Sequence, residues 1–256
     1  AWPAPRPIVW AGGDGRYALQ ANWDLQWQPS RYDVVQVNGG TATIDSVGQH
    51  AGTLQIAAGA TVRVSPSGSV LQTVRAVQAA GRLDLTDNGL VVDYAGASPV
   101  ASVVAQIVSA RGAGGEWTGN GITTRLGDAG GFGLGYGEAS RLLNLQPGEI
   151  GLFRGHPVDD TSIIVLYTRY GDANLDRVVG IGDFAVLAGN FNRTGMGWVD
   201  GDFTYDGSIG IADFSLLAAN FNLSIPAGVA RVPEPLGVGF FTTALLTALR
   251  LRRARR

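Results

Sequence analysis

The chain contains no cysteine. That excludes a disulfide framework and any thiolate metal site, a pattern that fits an exported bacterial protein stabilised by other means and also occurs in the cytosol. Lysine is absent too, so all 19 basic residues are arginine. Histidine is scarce: His50 and His156 lie far apart and outside any known motif, which leaves a Ser–His triad without support. Long apolar runs are also lacking. The segment Leu236–Leu249 would span only about 21 Å as a helix, against a hydrocarbon core of roughly 30 Å. It would need snorkelling arginines to cross a membrane. The first residue is Ala1 and not Met, so an original N-terminus ahead of it is expected.

Glycine is abundant, with 38 residues, while hydrophobics make up 45% and aromatics 9%. This is too apolar for disorder and too glycine-rich for a helical bundle. The net charge of −2 hides an uneven distribution, because Arg250, Arg252, Arg253, Arg255 and Arg256 crowd the last seven positions. Seven Asp fall between Asp172 and Asp213. An acidic body of this kind argues against nucleic acid as a partner.

Residues 31–95 carry short β-rich runs: Asp33–Val37, Thr41–Ile44, Thr53–Ile56, Thr61–Val64, Ser69–Val74, Arg82–Leu85 and Leu90–Asp93. Several alternate apolar with polar, as Thr61-Val62-Arg63-Val64 does, the period of a half-buried strand. Turn residues between them suit a mainly β fold, either a small β-solenoid or a sandwich-like body. A helix is expected from Ser98 to about Ala110, with Ser98 as cap, Pro99 in the first turn and Val103, Val104, Ile107 and Val108 as its apolar face. A glycine-dense stretch, Gly112–Gly137, precedes a clear strand at Ser162–Tyr167. The expected organisation is a β-rich domain over 1–95, a mixed β/α continuation over 96–168, a helical module over 169–224, and a linker and tail over 225–256.

The strongest signal is a repeat of period 30. Gly171-Asp172-Ala173-Asn174-Leu175-Asp176 aligns with Gly201-Asp202-Phe203-Thr204-Tyr205-Asp206, Asp183-Phe184 with Asp213-Phe214, and Asn190-Phe191-Asn192 with Asn220-Phe221-Asn222. Calcium takes about six to eight oxygens, and a twelve-residue loop offers them at positions 1, 3, 5, 7 and 12. In the first repeat these positions hold Asp172, Asn174, Asp176, the Val178 carbonyl and Asp183. In the second they hold Asp202, Thr204, Asp206, the Ser208 carbonyl and Asp213. Each set has three carboxylates, one more than a divalent ion requires. Helices Asp183–Asn192 and Asp213–Asn222 are expected to follow, with Phe184, Leu187 and Phe191 and their counterparts Phe214, Leu217 and Phe221 on a buried face.

This pattern resembles type I dockerins, which place Asp at loop position 12 where an EF-hand has Glu. The resemblance covers residues 170–224 and implies two calcium sites, mutually packed halves and a cohesin-like protein partner. Two residues depart from the family. Arg177 stands where loop position 6 usually has Gly, and Thr204 stands where position 3 usually has Asp or Asn.

Val232-Pro233-Glu234-Pro235, the apolar segment and the terminal arginines together resemble a PEP-CTERM sorting signal. It implies export, transient anchoring in the inner membrane and cleavage by an exosortase-type peptidase. Leu90-Val91-Val92-Asp93-Tyr94 through Trp117-Thr118-Gly119-Asn120-Gly121-Ile122 resembles exported planctomycete-type proteins with autotransporter-like β-solenoid bodies.

Other signals are weaker. The alternation Gly131, Gly133, Gly135, Gly137 lacks the βαβ context of a phosphate cradle and reads as flexible loop or strand turns. Ser140 is not in a nucleophile elbow. Trp10, Trp23 and Trp27 suit closure of an open β end, or stacking on sugar rings. No paired acids stand out in the β region, and the adjacent Asp159 and Asp160 would face opposite ways on a strand. The expected role is therefore an exported, cell-surface or secreted non-catalytic protein that assembles or attaches through a calcium-binding module. The alternative is a polysaccharide-degrading component, hydrolase or lyase, tethered by its dockerin.

Overall fold

The computed structural model describes residues 7–46, 49–68, 71–128 and 130–225. These are mainly β, with four α-helices. The Pro-Glu-Pro motif, the apolar segment and the arginine cluster lie outside the described residues. Among the described residues no helix is long and apolar enough to cross a membrane.

Alternation of apolar and polar residues sets the architecture. One sheet runs Pro7–Val9, Val34–Val37, Thr53–Ile56 and Ala76–Ala79, every neighbour parallel. A second runs Asp14–Arg16, Thr41–Ile44, Thr61–Val64, Arg82–Asp84 and Gly121–Thr123, again all parallel. Thr41 sits on Thr61 and Thr61 on Arg82, so each turn of the chain lays a strand on the one before. The antiparallel pairing of a β-sandwich is absent from these two sheets. Val35, Val37, Ala42, Ile44, Leu54, Ile56, Val62 and Val64 point inward and are buried. The outward positions of the first sheet form an amide ladder, in which Gln36 Nε2 donates to Gln55 (3.0 Å) and Gln55 Nε2 to Gln78 (3.1 Å).

A third sheet joins this stack to the rest of the chain. Leu71–Val74 pairs in parallel with Gly89–Asp93, which pairs antiparallel with Ser162–Arg169, itself antiparallel to Phe132–Glu138. The clear strand is therefore longer than the expected Ser162–Tyr167, and the Leu71–Val74 strand starts after the expected Ser69, which is outside the described residues.

The first helix, α1, spans Val100–Arg111, with the Ser98 hydroxyl accepting from the Val100 N–H at 3.2 Å. Its buried line is Val103, Ile107 and Ala110, whereas Val108 is 42% exposed, contrary to the expected face. Positions 103, 107 and 110 are the ones that the 3.6-residue period aligns. Gln106 protects the edge of Ala76–Ala79: its Oε1 accepts from the Ala79 N–H and its Nε2 donates to the Val77 carbonyl. A short helix, α2 (Ala139–Leu142), follows Phe132–Glu138, and a hairpin, Ile150–Phe153 with His156–Asp159, comes next.

Of the glycine alternation only Gly131 lies in a bend; the rest is strand. Gly133, Gly135 and Gly137 all lie within the strand Phe132–Glu138. A Cβ at Gly133 would lie 3.0 Å from the Tyr205 hydroxyl, and one at Gly135 2.7 Å from Trp198 Nε1 and in collision with Leu175. Glycine at these positions lets the repeat region pack directly on the sheet, and one continuous hydrophobic core runs through both.

Candidate metal centre in the paired loops

The last strand of the body leads straight into the first loop. Thr168, fully buried on Ser162–Arg169, donates its hydroxyl to Asp172 Oδ2. Asp172 Oδ1 accepts from the Asp176 N–H (3.1 Å), and its Oδ2 from the Arg177 N–H (2.9 Å). Asp183 Oδ1 accepts from the N–H groups of Ala173 (2.8 Å) and Asn174 (3.2 Å), and its Oδ2 from Gly180 (2.8 Å). Asp176 Oδ1 takes the Val178 N–H at 2.7 Å.

The second loop repeats this scheme. Asp202 accepts from Asp206 (3.2 Å) and Gly207 (2.9 Å), Asp213 from Phe203, Thr204 and Gly210 (2.9 Å each), and Asp206 from Ser208 (2.8 Å). Thr204 Oγ1 donates to Asp202 at 3.2 Å.

The helices after the loops are α3, Ile181–Asn190, and α4, Ile211–Asn220. Both begin earlier than expected, because Asp183 and Asp213 sit in the first turn and accept from the N–H of Gly180 and Gly210. The expected burial of the phenylalanines is corrected as well. Leu187 and Leu217 are buried, but Phe184, Phe191, Phe214 and Phe221 stay more than a third exposed. Phe184 and Phe214 meet edge to face, with centroids 6.3 Å apart.

The two halves are related as a pseudo-two-fold pair. Val178 bridges Ser224 and Ser208 bridges Thr194, both antiparallel, so each loop pairs with the chain leaving the other half's helix. Gly171 and Gly201, both at positive φ, lie against Leu217 and Leu187 respectively; a Cβ there would sit 2.9 Å and 3.0 Å from the facing Cα. The same bridges orient the position-7 carbonyls. Arg177 and Val179 carbonyls accept from Ile225 and Asn222, so in extended chain the intervening Val178 carbonyl points the opposite way. Ser208 is placed likewise between the engaged carbonyls of Gly207 and Ile209.

The charge at these loops is not balanced by the protein. Asp172, Asp183, Asp202 and Asp213 are all nearly inaccessible to solvent. Burial raises Asp172 to about 7, against the Thr168 hydrogen bond, with repulsion from Asp183 adding to the rise. Burial first, then the charges of Asp213 and Asp206, raise Asp202 to about 6, and burial also raises Asp183. Among the described residues no three His, Cys, Asp or Glu side chains are drawn into metal-coordinating geometry. The carboxylates instead lie on the backbone N–H groups of their own loops. The donor chemistry nonetheless fits a hard cation: in each loop, three carboxylates, an amide or hydroxyl oxygen and one free-facing carbonyl.

Arg177 carries what the sequence reading missed. Its backbone is left-handed, with φ of 71°, where the matching Gly207 has 82°. Its side chain is turned inward and only 4% exposed. The guanidinium donates to the Gly68 carbonyl at 2.7 Å and the Asp87 carbonyl at 3.0 Å. Tyr205, at loop position 4, is likewise left-handed (φ 64°), and its hydroxyl accepts from the Leu134 N–H (3.2 Å) and donates to the Leu134 carbonyl (3.0 Å). Trp198 Nε1 donates to the Asp172 carbonyl at 2.6 Å.

Outside the loops, Trp10 and Trp23 are buried edge to face, 5.0 Å between centroids, and are not available to stack on sugars; Trp27 is partly exposed. His156 Nε2 lies 3.0 Å from Thr73 Oγ1, and Ser140 takes no part in that contact. Asp84 is held by Arg63 at 3.0 Å and Arg125 at 3.9 Å. One acid pair was not legible in sequence: Asp93 and Asp159 line a cleft of about 150 Å³ with Thr73 and Ser162. Burial, then the Asp159 charge, raises Asp93, while Asp159 accepts from Thr161 (3.1 Å) and Ser162 (2.8 Å). Comparison with family models, with curated proteins and with solved structures gives no match.

Proposed function

We propose that residues 169–224 are a dockerin-like calcium-binding module, and that the chain is an exported, non-catalytic protein that attaches or assembles through it. The observation that carries this reading is the pair of loops with matching hydrogen bonds, each with buried carboxylates at positions 1 and 12 and a carbonyl at position 7 turned away from its bridge. Calcium, when bound, supplies positive charge to Asp172, Asn174, Asp176, Val178 and Asp183 in one loop and to Asp202, Thr204, Asp206, Ser208 and Asp213 in the other. The exposed and repeated Ile181/Phe184 and Ile211/Phe214 positions suit a cohesin-like partner. The parallel stacking of the body supports a solenoid-like reading, with polysaccharide as a further candidate ligand. The tail, read from sequence, supports sorting to the cell envelope, cell surface or exterior and processing by an exosortase-type peptidase.

Calcium titration calorimetry on the full chain tests the central claim. Two sites are expected, with Asp172→Ala removing one, Asp202→Ala the other and the double variant both. No heat above background at about millimolar calcium, the weak end for such loops, would overturn it. A polysaccharide-degrading activity is the second reading, favoured only by the Asp93/Asp159 cleft. Release of reducing sugars or unsaturated products that Asp93→Asn abolishes would establish it.

A further inference from the structure

The first loop is tied to the body at a point where two turns of the parallel stack meet. The turns at 65–68 and 85–88 lie on one another: the Ser67 N–H donates to Asp87 Oδ1 (2.8 Å), the Ser67 hydroxyl to Asn88 Oδ1 (2.7 Å), and Asn88 Nδ2 to the Ser65 carbonyl (2.9 Å). Arg177 reaches both, one guanidinium nitrogen to the Gly68 carbonyl and another to the Asp87 carbonyl. Among the described residues no carboxylate forms an ion pair with it, and its Nε is buried without a hydrogen-bond partner. Burial lowers its pKa to about 10. Its own N–H is bonded to Asp172 Oδ2, at loop position 1.

A residue placed this way carries two costs. A non-glycine residue in the left-handed region is strained, and a buried guanidinium must be matched by opposite charge. Asp87 and then Asp172 supply that charge, against the nearby Arg154, and the carboxylates of the first loop repel one another unless a cation sits among them. Glycine at position 6, as in the second loop, would remove both costs and also the tie.

We propose that Arg177 is a positioning residue through which calcium in the first loop staples two stacked turns of the β-body, so that the ion orders the body as well as the module. This rests on the calcium reading above. Loss of the ion leaves the three carboxylates to repel one another, which weakens the hold of Asp172 on the Arg177 N–H and, with it, the tie to the Gly68 and Asp87 carbonyls.

Hydrogen–deuterium exchange of the full chain, with calcium and with chelator, reads the coupling in peptides covering 85–89, and the hairpin 150–159 serves as the internal control. In the unsubstituted protein calcium should slow exchange at 85–89 at least about tenfold, the scale of a local opening made more costly by one such tie. Arg177→Gly should keep both calcium sites by calorimetry, with the first unchanged or tighter, while the calcium effect at 85–89 drops below about twofold. Arg177→Lys, a point donor without the fork, should fall between. If Arg177→Gly binds calcium at both sites and still shows the full tenfold effect, the staple is wrong. If Arg177→Gly does not fold, the Lys variant decides: full coupling in it overturns the role of the fork, and loss of coupling supports it. If the unsubstituted chain binds no calcium, the calorimetry shows that the underlying reading has failed, and the staple with it.

Discussion

The two loops share their hydrogen bonds almost residue for residue and diverge where they touch the body. Position 6 is Arg177 in one and Gly207 in the other, both left-handed, so the backbone demand is the same while only one loop meets it with glycine. Position 4 is Leu175 in the first and Tyr205 in the second, again both left-handed and both packed on the glycine strand. Position 3 is Asn174 or Thr204, exposed to the loop's own chemistry alone. The comparison teaches that duplication preserved the oxygen-bearing side chains proposed to face calcium, while the residues between them were adapted to different parts of the body. A free-standing module would have no reason to bury an arginine or a tyrosine hydroxyl in this way.

Chelation should have the largest effect and should break the equivalence of the loops. Ligand at about 100 times Kd stabilises by about 2.7 kcal/mol per site, so loss of both should lower the melting temperature of the full chain by about 10–20 °C at the usual 2–4 °C per kcal/mol for this size. Identical melts with calcium and with chelator would contradict the proposed function. A larger loss from Asp172→Ala than from Asp202→Ala would place the body's dependence in the first loop.

The contact with the glycine strand comes next. Gly135→Val should destabilise by about 1–3 kcal/mol or more, because the added carbons collide with Leu175 and Trp198 and overpacked cores relax poorly. Gly148→Val, at an open site but with φ of 82°, controls for backbone strain alone. Equal losses at both, by denaturant titration, would deny the strand its docking role.

The pH dependence of the chelated protein should separate the loops more finely. Asp172 and Asp202 are raised to about 7 and about 6 in the folded state, above the ordinary carboxylate value of 3.8. The folded form then holds protons that the unfolded chain has released, so stability falls as pH rises from about 4 to about 7 and levels off above that. The melting temperature in chelator should drop across this window, and the gain from calcium should widen over it. A chelated melt that rises between pH 5 and pH 7 would be the wrong sign.

The smallest effect concerns position 3. Asn174→Thr makes the first loop resemble the second and should weaken that site by about 1 kcal/mol, the worth of one oxygen contact. Calorimetry should show the two sites moving closer together in affinity; an unchanged first site would mean that Asn174 is not a ligand.

Much of this was legible before any coordinates. Thr61-Val62-Arg63-Val64 alternates because its side chains must alternate, and the strand Thr61–Val64 follows with Val62 and Val64 inside. The period-30 Asp pattern was legible for the same reason: residue spacing within a loop is a local property, and the hydrogen bonds of the loop carboxylates to backbone N–H groups join residues at most ten apart. Local periodicity also located α1, but it did not tell which of two adjacent stripes would face inward.

Contacts between distant segments were not legible. Gly133, Gly135 and Gly137 read as loop because glycine is itself a turn signal and masked the alternation of Phe132, Leu134 and Tyr136; their purpose is visible only against Leu175, Trp198 and Tyr205. Arg177 read as a flaw in the loop because its partners, Gly68 and Asp87, lie about a hundred residues earlier. The amino-acid order by itself determined the alternating strands between 33 and 93, the helices and the matched spacing of the two Asp-rich loops, since these depend on neighbours in the chain. Only the tertiary structure decided that the donors sit on the body and are tied to it, because burial of an arginine or omission of a side chain has meaning only relative to what packs against it.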